Sequence, residues 1–270
     1  MSHASVLVAL SAEDLKAANN DLKAAIAYQM EPFDEGGEYF ANGSRWDWWQ
    51  IGGRFSGKFA PPDYDPHTDP TNSESCWVCR GTGCRDDAIG CEARKADPAY
   101  TCNGCCGTRR MLKPAGDWRD VGNTARRDGL TEENLRERRR ADVERWWQGH
   151  LEERAKGWGG DDKDLTKEQY FEKYAVGFAC FAFLRDREWH EQERLGWFGG
   201  SAKTECELKA EKQGEEFTGR CLHTDERTGA KIVDWTGPKD SEERWNRLFW
   251  ARFLRDLPGD TLLVVVDFHV

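Results

Sequence analysis

The chain has 270 residues, of which 38% are hydrophobic, 12% aromatic and 33% charged, and its net charge is −10. The 13 Trp and 13 Phe supply enough apolar surface for a folded core, which excludes a disordered chain. The longest aliphatic run, Leu262–Val266, is far shorter than the ~20 residues of a transmembrane helix, so we expect no membrane partner. The negative charge argues against bulk binding of duplex nucleic acid. Residues 1–10 lack the basic residues of a secretory signal, which indicates a cytoplasmic protein.

The first part of the chain predicts a strand, a helix and an aromatic segment. Ser5–Leu10 is a continuous apolar run of strand length. Ser11 is an N-cap residue type, and apolar side chains recur at helical spacing over residues 12–30, which predicts one amphipathic helix. Residues 39–60 are rich in aromatic residues and glycine, which predicts strand–turn–strand.

The second part of the chain predicts several helices and a strand hairpin. In order, we expect a helix from Thr131 to Arg154, a short helix after Thr166, a strand over Val176–Leu184 with a hairpin turn at 185–188, helices at 203–212 and Ser241–Leu257, and a last strand over Thr261–Val270. This order predicts an α+β fold with a mostly antiparallel sheet and flanking helices. A cysteine-rich insert at 71–111 would interrupt it, so the α+β domain would comprise residues 1–70 and 112–270.

Seven of the ten cysteines lie between residues 76 and 106. Residues 76–83 read C-x-x-C-x-G-x-G, and residues 102–109 repeat the pattern with Arg109 in place of the last glycine. Two such pairs predict one tetrahedral zinc site with four thiolate ligands. These ligands are Cys76, Cys79, Cys102 and Cys105. Because sulfur fills all four positions, we expect a structural zinc that folds the insert.

The two repeats resemble the cysteine-rich module of DnaJ-type chaperones, which pairs C-x-x-C-x-G-x-G units around zinc. The resemblance covers about 35 residues, and the His-Pro-Asp signature of a J-domain is absent, so a chaperone role does not follow. The alternative interpretation is that the pairs are redox-active dithiols. Cys84, Cys91 and Cys106 are additional cysteines in this segment, and the pattern gives them no role.

The segment from Trp46 to Phe55 combines three tryptophans, two glycines and an arginine. In a strand, Trp46 and Trp48 would share one face, with Asp47 and Trp49 on the other. An aromatic wall, glycine amides open to a ligand and a guanidinium fork suit a nucleotide-like or anionic ligand. We therefore predict a ligand site formed by Trp46, Trp48, Gly52, Gly53 and Arg54. The alternative is architecture: a core strand, a glycine turn and an internal ion pair of Arg54 with Asp47 or a glutamate.

Other candidates for chemistry lie later in the chain. His190 could carry a proton near neutral pH and Glu191 could act as a base, although adjacent strand residues point to opposite faces. With Asp47, these are the candidate catalytic residues. In the last strand Asp267 and His269 are two residues apart and share a face, so they could form a carboxylate–imidazole pair or be solvated strand-end residues.

Three sequence blocks carry a second resemblance. They are W-D-W-x-x-I-G-G-R at residues 46–54, W-H-E at 189–191 followed by G-W-F-G at 196–199, and D-x-H at 267–269. They resemble blocks in a group of uncharacterised bacteriophage-encoded proteins that often carry a similar knuckle insert. The resemblance implies a phage source and a location in the host cytoplasm, and it implies no mechanism.

The leading hypothesis is thus a phage-encoded, zinc-stabilised accessory protein that binds a nucleotide-like or anionic ligand, or a host factor. Antagonism of a host defence pathway is one version of it. The first alternative is an enzyme that acts on a nucleotide or nucleic acid through Asp47, Arg54, His190 and Glu191. The second is a protein-binding adaptor that uses the zinc knuckle as its contact surface.

Overall fold

A computed structural model describes residues 3–34, 45–157, 160–178, 180–192, 221–224, 231–235 and 241–269. Its main feature is an eight-stranded mixed sheet in the order β2-β10-β1-β6-β7-β9-β8, with β5 pairing beside β10. The strands are β1 His3–Leu10, β2 Trp48–Ile51, β5 Thr124–Arg126, β6 Ala182–Arg185, β7 Glu188–Gln192, β8 Cys221–Thr224, β9 Lys231–Trp235 and β10 Leu262–His269. Among the described strands, only β1–β6 and β7–β9 pair in parallel, so the predicted α+β fold with a mostly antiparallel sheet is confirmed.

The described part of the chain contains six α-helices. They are α1 Ala12–Ala17, α2 Leu22–Met30, α3 Ala88–Ala96, α4 Glu132–Ala155, α5 Lys167–Tyr174 and α6 Ser241–Phe249, which continues as a π-helical turn over Trp250–Leu254. Thr131 and Thr166 cap α4 and α5 by accepting backbone N–H bonds from Asn134 and Gln169. Within the described residues, no helix is both long enough and apolar enough to cross a bilayer.

The sheet separates two cores, because successive residues of its central strands face opposite sides. Val6, Val8 and Leu10 of β1 pack with α2 on the first side, which we call the first core. Leu7 and Ala9 pack with α6 on the second side, the second core. Helices on both sides thus bury both faces of β1.

Strands β10 and β1 are adjacent interior strands of the sheet. They pair antiparallel over their whole length, from His3 opposite His269 to Leu10 opposite Leu262. Val264, Val265 and Val266 are fully buried. The last strand is therefore interior and lies beside the first.

Several predicted elements differ in extent. The helix expected over residues 12–30 is two helices, because Asn19 and Asn20 adopt left-handed φ values of 53° and 62° and Asp21 caps a new helix. The strand expected over Val176–Leu184 is shorter and corresponds to β6, Ala182–Arg185. Of the segment at 39–60, the described part contains β2 and a 3₁₀ turn at Gly53–Phe55 and no second strand. The helix expected at 203–212 lies outside the described residues.

The cysteine-rich segment has its own small sheet, which pairs β3 Ser73–Ser75 with β4 Arg110–Leu112 antiparallel. These strands bring together the two ends of the predicted insert. Between them lie both cysteine motifs and α3, whose first turn is capped by the Asp87 carboxylate. The segment 71–111 therefore leaves and rejoins the main chain at one place.

Candidate metal centre and ligand site

Cys76, Cys79, Cys102 and Cys105 form one buried cluster, in which the four sulfur atoms lie within 4.8 Å of one another. The Sγ atoms of Cys76 and Cys102 are 3.8 Å apart, and those of Cys79 and Cys105 are 3.7 Å apart. Val78 and Met111 pack against them. The four predicted ligands are thus brought together in an arrangement that could hold a metal ion.

The two cysteine motifs are related by an approximate two-fold repeat of backbone hydrogen bonds. The Cys76 N–H donates to the Arg109 carbonyl, and the Cys102 N–H donates to the Gly83 carbonyl, both at 2.9 Å. The Gly83 N–H points to the Cys79 sulfur at 3.3 Å, and the Arg109 N–H is similarly bonded to Cys105. Each motif thus supports the other and supplies N–H donors to its sulfurs.

Arg109 stands where the first motif has Gly83, and it differs from this glycine in side chain but has the same left-handed backbone conformation. Gly83 has φ 81° and Arg109, at the equivalent position, has φ 70°. An L-residue in this left-handed region costs ~1–2 kcal/mol, which glycine avoids. The substitution noted in the sequence therefore places strain in the second motif.

The cysteine cluster shifts the pKa values of two of its thiols in opposite directions. Burial opposes ionisation of Cys79, but the Gly83 N–H and the neighbouring cysteines outweigh it and lower its pKa to about 6. Burial and the sulfur neighbours raise the pKa of Cys105 to about 11, despite the Arg109 N–H. The additional Cys84, Cys91 and Cys106 are exposed and outside the cluster.

The tryptophans of the 46–55 segment do not form a common wall. Trp46 donates its Nε1–H to the Met30 carbonyl at 3.0 Å and packs with Trp49 against the first core. Trp48 lies on the opposite side of β2 and is 43% exposed. The expectation that Trp46 and Trp48 share a face is therefore wrong, because the strand begins only at Trp48.

Gly52 and Gly53 are buried rather than open to a cleft, which corrects the expected role of their amides. The Gly52 N–H donates to the Val265 carbonyl at 2.8 Å. A Cβ on Gly52 would lie 2.3 Å from the Asn123 amide, and one on Gly53 would lie 2.3 Å from the Asp267 carboxylate. The glycines thus let the turn pack closely against β10.

Arg54 follows this turn with an exposed side chain. Its backbone N–H donates to Asp267 Oδ2 at 2.9 Å. The internal pair of Arg54 with Asp47 does not form, since the Asp47 carboxylate accepts from His269 Nδ1 at 2.6 Å. The Arg54 side chain is therefore exposed, while its backbone N–H is held by a buried carboxylate.

The ends of three neighbouring strands gather a polar cluster that we call the histidine–carboxylate corner. It consists of His3 on β1, Asp267 and His269 on β10, Trp48 on β2, and the adjoining Asp47 and Arg54. His3, His269 and Trp48 are register partners on one face, the side of the second core. His3 Nδ1 lies 2.8 Å from Asp267 Oδ1. The corner thus holds two hydrogen-bonded imidazole–carboxylate pairs side by side.

These pairs differ from the pairing suggested by the sequence. Asp267 and His269 share a face, but each pairs with a residue from elsewhere in the chain rather than with the other. His3 was missed. The available signal was a single histidine at the start of the apolar run of β1, in phase with Ser5 and Leu7.

His269 is enclosed by its neighbours. Its Nε2 atom is buried and has no hydrogen-bond partner among the described residues. His3 and Trp48 flank His269 on the two adjacent strands. Because these two strands lie two strand spacings apart, the His3 and Trp48 side chains would be ~10 Å apart if they ran parallel to each other. Their ring centroids are 5.9 Å apart, and the His3 and His269 rings are 5.5 Å apart. The His3 and Trp48 rings therefore lean toward each other across the position of His269.

The remaining candidate catalytic residues lie elsewhere. Glu191 is buried and accepts from Arg45 Nε at 2.9 Å and from Trp189 Nε1 at 3.0 Å. His190 faces the other side of the sheet and lines a cavity of about 370 Å³ beside Phe253. Strand β7 is separated from β2 by three strands. Asp47, Arg54, His190 and Glu191 therefore do not share one site.

No protein-family model, curated protein or solved structure matches this chain.

Proposed function

We propose that the protein binds a small anionic, nucleotide-like ligand at the histidine–carboxylate corner. The observation that carries this proposal is that Trp48 and Arg54 are both exposed, and that Trp48 is the register partner of His269 while the Arg54 N–H binds Asp267, so both residues adjoin two imidazole–carboxylate pairs. The proposed ligand site retains Trp48 and Arg54 from the site predicted by sequence, and it also includes His3 and His269. Trp46, Gly52 and Gly53 support the site from below instead of touching the ligand.

Each surface group suits one part of such a ligand. The half-exposed indole of Trp48 offers a stacking surface, which accepts any nucleobase. The guanidinium of Arg54 is always charged and can donate two parallel N–H bonds to a phosphate or carboxylate. Because the backbone N–H of Arg54 is fixed by Asp267, its side chain starts from a defined place.

Isothermal titration with AMP, cyclic AMP and inorganic phosphate tests this proposal. We expect micromolar to millimolar binding of the nucleotides and at least tenfold weaker binding by Trp48→Ala and Arg54→Ala. Trp146→Ala is the matched control, because Trp146 is 45% exposed on α4. Equal losses in the control, or no binding of any nucleotide, would overturn the proposal.

We also propose that the cysteine cluster holds one structural zinc ion. Four sulfur donors at tetrahedral spacing suit Zn²⁺ and leave no open position for a reactive water. The role would be to fold the insert, whose buried residues are mainly the four ligands themselves.

If the protein is phage-encoded, as the resemblance implies, the proposed ligand site would act during infection. The ligand would then be a nucleotide-like molecule of the host, and its capture would antagonise a defence pathway that depends on it. A host factor that binds the insert is the second candidate, which Trp77 favours because it is 72% exposed at the tip of the first motif. Loss of a co-purified host protein on Trp77→Ala would separate the adaptor from the ligand binder.

A further inference from the structure

We propose that His3 and His269 are an acid–base pair that cleaves a phosphodiester bond in the ligand. This inference rests on the proposed function, because it assigns a reaction to the same corner. The sequence analysis names Asp47, His190 and Glu191 as the candidate catalytic residues, gives His269 only as half of a possible pair with Asp267, and gives His3 no role.

The two carboxylates fix the tautomers of the two rings. Asp267 and Asp47 are hydrogen-bond acceptors when ionised, so each adjacent Nδ1 carries the proton that it donates. In the neutral form each Nε2 then has a free lone pair, and in the protonated form it has an N–H to give away. This is the arrangement in which a carboxylate orients a catalytic imidazole.

The buried Nε2 of His269 indicates a missing partner. Buried polar atoms in folded proteins are nearly always hydrogen-bonded, and one that is not calls for a functional explanation. The His269 side chain lies between His3 and Trp48 in the sheet register, and Trp48 is half exposed. A ligand that stacks on Trp48 and shifts its ring would bring its reacting oxygen to the Nε2 atom of His269.

The available ligand atoms favour proton transfer over metal catalysis at the corner. A catalytic metal site needs about three protein ligands. Across the described ranges, the four cysteines are the one group of three or more metal-binding side chains within 4.8 Å of one another. The corner instead offers two imidazoles, enough to accept one proton and donate another.

The charges of the corner select the substrate class. Asp47 and Asp267 bring two negative charges, whereas Arg54 is the one side chain there that is always positive. With one imidazole protonated the corner is neutral, so a diester with a single negative charge is accommodated more easily than a doubly charged monoester. The leaving oxygen of a diester also needs a proton, which the second imidazole supplies.

The reaction is a hydrolysis. The neutral imidazole takes a proton from water at its Nε2 while the water oxygen bonds to phosphorus. The imidazolium gives its Nε2 proton to the ester oxygen as the phosphorus–oxygen bond breaks, yielding a monoester and an alcohol. The two rings have then exchanged protonation states, and proton exchange with solvent restores them.

The test measures binding and turnover of the full chain with its metal, using 2′,3′-cyclic AMP and bis(4-nitrophenyl) phosphate as probes. We expect turnover by the wild type, and a loss of roughly 10²–10⁴ in kcat for His3→Gln and for His269→Gln with little change in KM. Arg54→Ala should mainly raise KM. His67→Gln is the control, because this exposed histidine packs on Trp118 away from the corner.

The outcomes separate the two proposals. Binding of cyclic AMP without turnover of either probe overturns the acid–base pair and leaves the ligand-binding function in place. Absence of both binding and turnover overturns both. Wild-type kcat in either histidine variant also overturns the pair. If His269→Gln does not fold, Asp47→Asn replaces it, because Asp47 is half exposed and its loss should lower kcat by releasing the His269 ring.

Discussion

Asp267 connects three parts of the chain through one fully buried carboxylate. It accepts from His3 Nδ1 at 2.8 Å and from the Arg54 N–H at 2.9 Å, and the Gln50 amide approaches it at 3.5 Å. A buried carboxylate is stable only when such donors replace its water. Asp267 therefore holds the glycine turn and the first histidine in place at once.

Asp267→Asn should lower the free energy of unfolding by about 1–3 kcal/mol, because the new NH₂ group must face a donor that the carboxylate had satisfied. Urea unfolding measures the change. Asp47→Asn is the matched control: Asp47 pairs with His269 but is 48% exposed, so we expect a loss below about 1 kcal/mol. Equal losses would show that Asp267 is not the anchor of the corner.

Cys79→Ser should abolish metal binding and unfold the insert while the main sheet stays intact. Metal analysis of freshly reduced protein should find about one zinc per chain in the wild type and none in the variant, since removal of one thiolate breaks the four-sulfur set. Cys84→Ser, an exposed cysteine outside the cluster, should keep the metal. A wild-type protein that purifies without zinc would contradict this prediction.

The two cysteine motifs show how one element tolerates an unfavourable residue. Their backbones repeat closely, with φ 76° at Gly81 and 80° at Gly107. Arg109 adopts the conformation of Gly83 because the hydrogen bonds to Cys76 and Cys105 require it. The geometry of the cluster therefore overrides the preference of arginine for a negative φ.

Arg109→Gly should therefore stabilise the metal-loaded insert by up to ~1 kcal/mol, since it removes left-handed strain from an exposed position. The reciprocal change, Gly83→Ala, should destabilise it, because the new Cβ would lie 3.2 Å from the Gly107 carbonyl oxygen and φ is 81°. Hydrogen exchange of the insert amides at saturating zinc measures both. Changes of the same sign would show that the backbone at these positions is not strained.

The elements that were predicted well are those specified by local sequence. Thr131 and Thr166 mark the starts of α4 and α5 through their capping hydrogen bonds, and the spacing of the cysteines identifies the metal cluster. The break at Asn19 and Asn20 was missed because the apolar spacing continues across it. Periodicity reports the buried face and is insensitive to two residues that reverse the backbone.

The histidine–carboxylate corner required information that the sequence does not display. Period-two alternation places Asp267 and His269 on one face, but it does not give the register of the neighbouring strands. That register brings His3 opposite His269, and the diagonal contact selects Asp267 as its partner. The same limitation explains why Asp47, His190 and Glu191 were grouped although β2 and β7 lie apart.

At the scale of the whole molecule, stability depends on the β1–β10 pair. Val265→Asp would place an unpaired charge in the second core at a position that is 0% exposed, so we expect the protein to fail to fold. Soluble expression and circular dichroism measure this. Leu151→Asp on α4, where Leu151 is 39% exposed, should fold normally. A folded Val265→Asp protein would show that Val265 is not part of the buried core.

The pairing of the first and last described strands also sets when the two imidazole–carboxylate pairs can form during synthesis. During synthesis His3 leaves the ribosome long before Asp267 and His269 exist, so neither imidazole can meet its carboxylate until β10 has been made. Until then β1 and β2 each lack the neighbour that separates them and present open edges. A nascent chain that lacks β10 would thus be unable to form either imidazole–carboxylate pair and would be prone to aggregation and degradation. Synthesis of β10 would therefore set the time at which the proposed chemistry can begin.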